Sequence, residues 1–246
     1  MTIAALAVAA FAVSATAETV RAGNMVLTVG GNVSPKKLPR KRMAPITLRL
    51  NGHIRTVDGS HPPAARRMLL EFDRNGTIFS RGLPVCRPGQ LEARTTRAAQ
   101  RVCGKARVGG GQTKAQIQFA GQAPFTATGP LLIFNGPRKG RQPSLVMHVY
   151  AAVPAPTAFV IRGIVSNSNK RRFGKRVLIR VPTITGGAGS LTDFNAKIHR
   201  TWRFKGKKRS YLIARCRGGR FVARGDISFA DGTRLVRNVV RPCRPR

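Results

Sequence analysis

The chain has 246 residues, with 45 Lys and Arg against 8 Asp and Glu, a net charge of +37. Charged residues make up 22%, slightly below an average domain, so the chain is short of acids rather than over-charged. That balance excludes internal pairing of most cations and narrows the partners to polyanions: nucleic acid, phosphate-bearing wall polymer, acidic polysaccharide or anionic lipid heads. Arg outnumbers Lys and Ala and Gly are abundant, a bias that genomic base composition alone also produces. The field exists whichever origin holds.

Residues 3–13 are almost wholly apolar, and Ser14-Ala15-Thr16-Ala17 follows with small side chains. This predicts an export signal over 1–17, cut after Ala17 to leave Glu18 first. No Lys or Arg precedes the apolar run, which a start codon placed too far downstream explains. The run is shorter than the about 20 residues that span a bilayer, and no later stretch reaches that length, so no transmembrane segment is expected. The segment 18–45 holds Pro35, Pro39 and Pro45 around Lys36-Lys37-Leu38-Pro39-Arg40-Lys41-Arg42. With no sustained periodicity after Val29 it reads as a basic flexible arm, and the fold, residues 46–246, begins at Ile46.

From there strand alternation dominates. Ile46, Leu48 and Leu50 alternate, and Asn75-Gly76 marks a hairpin between 68–72 and 77–79. Between Cys86 and Cys103, Leu91, Thr95, Ala98 and Val102 recur at helical spacing with Arg94, Arg97 and Arg101 outside, which predicts one short amphipathic helix. Alternation resumes at Ala115, Ile117 and Phe119, and again at Leu145, Met147, Val149, Ala151 and Val153. Phe194, Ala196, Ile198, Trp202 and Phe204 share one parity, which predicts one long half-buried strand with Arg200 the single intruder. Gly206-Lys207-Lys208 breaks it, 211–214 returns, and Phe221, Ala223, Ile227 and Phe229 lead to the turn signal Asp231-Gly232. The expected architecture is all-β: a single antiparallel β-sandwich with one short disulfide-flanked helix. Two small stacked β lobes, dividing near 167–174, are the alternative. Cys86, Cys103, Cys216 and Cys243 allow three pairings. Short local loops favour Cys86–Cys103 and Cys216–Cys243, each worth about 3 kcal/mol, and such bridges belong outside a reducing cytosol.

The motifs GxSxG, GxxxxGK[ST], HExxH and a strand-led GxGxxG are absent. Gly109-Gly110-Gly111-Gln112-Thr113-Lys114 and Gly186-Gly187-Ala188-Gly189-Ser190 look like phosphate cradles but lead into no helix, and tight sheet turns account for both. Asp58-Gly59-Ser60-His61 puts three triad residue types on one turn, where neighbours do not converge. His53, His61, His148 and His199 show no metal-ligand spacing, and His148 reads as a satisfied sheet residue. Asp73 and Asp231 sit in turns, while Asp193 and Asp226 are expected to pair with Arg. No catalytic residue, metal or cofactor is assigned.

Three basic clusters stand out: Lys36, Lys37, Arg40, Lys41 and Arg42; Lys170, Arg171, Arg172, Lys175 and Arg176; Lys205, Lys207, Lys208 and Arg209. Only Phe173 and Trp202 lie near them, a poor supply of rings for stacking bases, and no finger, homeodomain or RNP pattern is present. Salt-sensitive contacts to a polymer backbone, without sequence-specific nucleic-acid recognition, are what these clusters support.

Several stretches carry a resemblance: Asp58-Gly59-Ser60-His61-Pro62-Pro63, Gly82-Leu83-Pro84-Val85-Cys86, Cys103-Gly104-Lys105-Ala106-Arg107-Val108-Gly109 and Phe134-Asn135-Gly136-Pro137. Gly186-Gly187-Ala188-Gly189-Ser190-Leu191, Gly206-Lys207-Lys208-Arg209-Ser210-Tyr211-Leu212 and Phe229-Ala230-Asp231-Gly232-Thr233 extend it. The pattern resembles a group of exported proteins of high-GC Gram-positive bacteria that has no established activity, and it covers nearly all of 46–243. The resemblance implies export, a β-rich domain and paired cysteines; the extra arginine here departs from it.

The expected function is that of a secreted, non-catalytic β protein associating with anionic polymers of the cell envelope or its surroundings. Wall polymer, acidic polysaccharide and extracellular DNA all qualify, bound non-specifically through the three clusters. One alternative is an extracellular carrier of an apolar ligand, with a pocket lined by Phe125, Leu131, Phe134 or Phe159. The other is a secreted hydrolase, which needs a Ser or carboxylate converging on His148 or His199.

Overall fold

The computed structural model describes residues 17–140 and 142–246. The expected signal, apart from Ala17, lies outside the described residues. Twelve strands form one antiparallel sheet. In chain order they are β1 (Glu18–Ala22), β2 (Met25–Ser34), β3 (Thr47–Thr56), β4 (Ala65–Asp73), β5 (Arg107–Ile117) and β6 (Phe125–Lys139). They continue as β7 (Gln142–Ala151), β8 (Thr157–Asn167), β9 (Phe173–Arg180), β10 (Gly189–Ile198), β11 (Arg220–Phe229) and β12 (Arg234–Pro242). The spatial order is β1-β2-β3-β10-β5-β6-β7-β8-β9-β4-β11-β12, and the outermost strands β1 and β12 lie against each other. The sheet therefore rolls into a barrel, and the facing layers of the expected sandwich are opposite walls of one continuous sheet. Strands β8 and β9 flank 167–174 and pair with one another, so the chain does not divide into two lobes there.

Alternation decides which side chains turn inward. On β7, Leu145, Met147 and Val149 face the interior while Val146 and His148 face outward beneath the helix. Across the seam, Arg241 of β12 pairs with Glu18 of β1 at 2.6 Å and donates from Nε to the carbonyl of Gly31 on β2. One guanidinium thus ties three strands where the barrel closes.

The segment 18–45 is not an arm. Residues Met25, Leu27 and Val29 of β2 alternate into the interior, with Leu27 wholly buried. Among the described residues the first strand therefore begins at Glu18, because the short apolar alternation ahead of the prolines outweighs the basic run behind them. That run is itself anchored: Leu38 is buried, and Lys37–Leu38 pairs in parallel with Arg244–Pro245.

Several local expectations shift. Helix α1 (Thr96–Cys103) is capped by the Thr95 hydroxyl, which accepts from the Ala98 amide at 3.3 Å. It buries Ala99 and Cys103 rather than the Ala98–Val102 stripe, and Val102 is 44% exposed. The Cys86–Cys103 bridge fixes that face, over Leu132, Phe134 and Val146 of the outer wall. The second bridge joins Cys216 and Cys243 as expected. Asn75-Gly76 does not close a hairpin: Gly76–Ile78 pairs with Leu212–Ala214, which also pairs with Ala44–Pro45, and this small sheet covers one end of the barrel. The strand expected through 204 stops at Ile198, and Thr201–Phe204 forms its own hairpin with Lys207–Ser210. Its turn residues, Lys205 and Gly206, both take positive φ, the geometry of a two-residue hairpin turn. Asp231-Gly232 turns between β11 and β12 as expected, with the Asp231 carboxylate accepting from the Thr233 amide and hydroxyl. The Gly109–Gly111 triplet lies inside β5 rather than in a turn, whereas Gly186 and Gly187, at φ 65° and 109°, do turn the chain.

Candidate functional site

The barrel interior is apolar but incompletely filled. A chamber of about 390 Å³ is lined by Leu131 and Ile133 of β6, Met147 and Val149 of β7, Phe159 and Ile161 of β8, and Ala196 and Ile198 of β10. A second chamber of about 170 Å³ lies toward the seam and the covered end, beside Tyr211, Leu212 and Val239. Leu50, Leu70, Leu145, Val177, Phe194 and Ile198 line both and stand between them. Phe159, Ile161, Phe194, Ala196 and Ile198 point inward yet are only half-buried, because nothing packs against their inner ends. Tyr211 is wholly buried, and its hydroxyl finds no hydrogen-bond partner among the described residues; burial pushes its pKa up.

Of the pocket residues expected from the sequence, Leu131 and Phe159 line the larger chamber. Phe134 does not, being buried on the outer face under α1. Phe125 instead meets Phe119 at 6.2 Å between ring centroids, at the start of β6.

Two straps cross the end of the barrel opposite the small covering sheet. Residues 181–188 lead from β9 to β10, strands separated by four others, and residues 57–64 lead from β3 to β4. The straps are tied together by Ser190, whose hydroxyl donates to the Pro62 carbonyl and lies 3.1 Å from His61 Nε2. The larger chamber opens on this end, between the strap residues 182–185 and the β7–β8 turn at Val153, Pro154 and Ala155.

The Asp58-Ser60-His61 stretch therefore serves as a knot. Asp58 accepts from the Ser60 amide and hydroxyl, which hold its carboxyl well below the ordinary range. His199 meets the Thr47 hydroxyl at 3.0 Å, and His53 pairs with Asp193 at 2.8 Å, a partner expected to be Arg. Asp226 is held by Arg234 through both carboxylate oxygens, as expected, and its pKa is lowered by that hydrogen bond. Neither His148 nor His199 faces a Ser or carboxylate, and among the described residues no three His, Cys, Asp or Glu side chains gather to hold a metal.

His148 is completely buried, and Nε2 donates to the Arg94 carbonyl at 2.9 Å. Burial holds its pKa below the ordinary 6.5. Above that pH both folded and unfolded chains carry the neutral ring. Below it the unfolded chain takes a proton that the folded one refuses, so stability falls as pH drops from 6.5 toward the depressed native value. The slope is at most about 1.4 kcal/mol per pH unit. Urea midpoints at about pH 7.5 and about pH 5.5 check this, and His148→Gln is expected to remove that part of the difference.

The opposite end of the barrel gathers all three basic clusters. Residues 35–46 follow β2 there, 168–172 join β8 to β9 there, and 199–219 lead from β10 to β11 there. Arg171 and Arg172 face Arg74 and Arg220 across an open cleft of about 400 Å³. Arg74 and Arg220 escaped the sequence reading because each stands alone in the chain; only the fold brings them to the cluster. Other cluster members are engaged by the wall. Lys170 pairs with buried Glu71 at 2.9 Å, Lys175 bonds Asn167, and Arg176 bonds Ser166. Burial alone would raise the Glu71 carboxyl, but hydrogen bonds from Lys170 and Ser168 outweigh it and hold the pKa low. Arg209 covers the Phe79 ring at 5.4 Å, and Phe79 stacks on Trp202.

No helix among the described residues is long and apolar enough to cross a membrane. The barrel is apolar within and carries Arg67, Arg162, Arg180 and Arg224 on its outward parity, the reverse of a membrane-spanning barrel. No family model, curated protein or solved structure matches the chain.

Proposed function

We propose that this protein is a non-catalytic carrier, holding an apolar ligand inside its barrel and working outside the cytoplasm. The observation that carries this reading is the unfilled chamber of about 390 Å³, which falls within the size range of small-molecule sites. Its lining is mainly aliphatic and aromatic, and the one charged member, Lys114, is exposed to solvent, so the enclosed part of the ligand is uncharged. The two disulfides support an oxidising compartment. Titration with N-phenylnaphthylamine tests the reading: saturable fluorescence enhancement, competed by long-chain alcohols, is expected, and no enhancement by the folded, oxidised protein overturns it.

A second reading, adhesion to an anionic polymer of the envelope, is favoured by the cleft of Arg74, Arg171, Arg172 and Arg220. Binding to wall polymer, acidic polysaccharide and DNA across about 0.05–0.3 M salt tests it. Replacing those four arginines with Gln is expected to weaken binding by about tenfold or more and to flatten the salt dependence. If the variant binds all three polymers as the parent does, the overall field is responsible and the cleft is not a site.

A further inference from the structure

We infer that the open end of the barrel docks on an anionic lipid surface, from which the chamber loads; this rests on the carrier reading. In a chain of net charge +37, the stretches 115–137, 149–161 and 181–192 contain no charged residue and no histidine. They are far apart in sequence, yet the fold brings their tips to one end of the barrel, where the β7–β8 turn and the strap line the opening and the β5–β6 loop stands at the same end. These tips are the β5–β6 loop with Phe119 and Phe125, the β7–β8 turn with Val153 and Pro154, and the strap residues 182–185. Residues 120–124 and 152–156 are exposed throughout, and Val153 is 55% exposed.

An apolar rim continuous with an apolar chamber lets a lipid chain pass between bilayer and barrel without meeting water. Cations stand just behind it. Lys114, Arg66 and Arg180 are exposed and lie within three residues of this end of their strands, so about 10 Å or less back along the wall. That is the depth at which anionic headgroups lie when a rim enters the interface. Asp193, opposite Lys114, is taken up by His53. Asp58 and Asp231 lie at the seam side of this end, around a separate cleft with His61 and Arg234. Self-association through two such rims would bring two strongly positive molecules together, whereas an anionic leaflet complements them.

The chain supplies its own control, because its single tryptophan, Trp202, lies at the far, basic end. Vesicles of phosphatidylcholine and phosphatidylglycerol mixed about 2:1, carrying brominated acyl chains, are the probe. In Val153→Trp the introduced indole is expected to shift to the blue and to be quenched, and to stay so in about 0.5 M salt. In the parent, Trp202 is expected to show neither change. Ala123→Asp, in the exposed β5–β6 loop and outside the chamber lining, is expected to lower salt-resistant binding about tenfold while still taking up N-phenylnaphthylamine in solution. Absence of salt-resistant binding, quenching of Trp202 alone, or equal binding by Ala123→Asp each overturns the inference. If the parent takes up the probe but ignores the vesicles, the docking fails and the carrier reading stands. Salt-resistant insertion of the rim without probe uptake gives the converse.

Discussion

Ala196→Phe is expected to lower affinity for N-phenylnaphthylamine at least about tenfold while leaving the protein folded. Ala196 projects inward from β10 into the larger chamber, and its methyl is only half-buried because the space before it is open. In a well-packed core such an enlargement costs about 1–3 kcal/mol. Here the ring has a chamber of about 390 Å³ to enter, and burying it returns about 1.5–3 kcal/mol. The thermal midpoint should therefore hold or rise as binding is lost. Ala158→Phe is the control, since it lies one residue from inward-facing Phe159 and so on the outward parity of β8. It should bind the probe as the parent does. If Ala196→Phe binds normally, ligand does not enter this chamber; if it unfolds, the chamber closes in solution and the carrier reading fails with it.

The second large effect concerns the glycine triplet of β5. A Cβ on Gly111 would lie 1.9 Å from the carbonyl oxygen of Asn195, and one on Gly109 would lie 2.5 Å from that of Lys197. Both obstacles are backbone atoms of β10, so no rotamer change relieves them. Gly109 and Gly111 stand where β5 and β10 approach too closely for side chains on that face, and a Cβ on Gly110 would lie 2.9 Å from the carbonyl oxygen of Leu131 on β6. Gly111→Ala is expected to cost at least about 3 kcal/mol in urea unfolding, or to prevent folding. Gly225→Ala in β11 makes the contrast, because its Cβ would meet nothing within 4 Å. Removing a flexible residue from a strand there should be neutral or stabilise by about 0.5–1 kcal/mol. Similar losses at both positions would mean that strand flexibility, rather than backbone proximity, sets the requirement.

The antiparallel class, both disulfides and the Asp231-Gly232 hairpin were legible because each depends on residues close in sequence. Closure of the sheet was not, since it depends on β1 meeting β12 across the whole chain. The alternation of Met25, Leu27 and Val29 was visible but was outweighed by the prolines and cations that follow it. The chamber was hidden for a different reason. Inward residues such as Phe159, Ala196 and Ile198 show the same alternation whether they meet a packed centre or an empty one. The glycine triplet shows the reverse problem: glycine permits a turn and a close approach equally, and only the positions of β10 and β6 distinguish them. At the basic end the clusters were readable as runs of charge, but Arg74 and Arg220 carry no signal until β4 and β11 are paired.

The Arg241–Glu18 seam bears on how the barrel assembles. Its partners lie 223 residues apart in the chain, so β1 must wait for β12 to be synthesised before its outer edge is covered. Until then β1 is an open edge on an unfinished sheet, the kind of surface that recruits other chains. Contacts of such long range also slow folding, since the loop must close before the contact rewards it. The disulfide between Cys216 and Cys243 brackets the β11–β12 hairpin and holds the late strand β12 in its pairing with β11. Under reducing conditions the chain should therefore spend longer as an unclosed sheet, with aggregation appearing during refolding before any loss of equilibrium stability is evident.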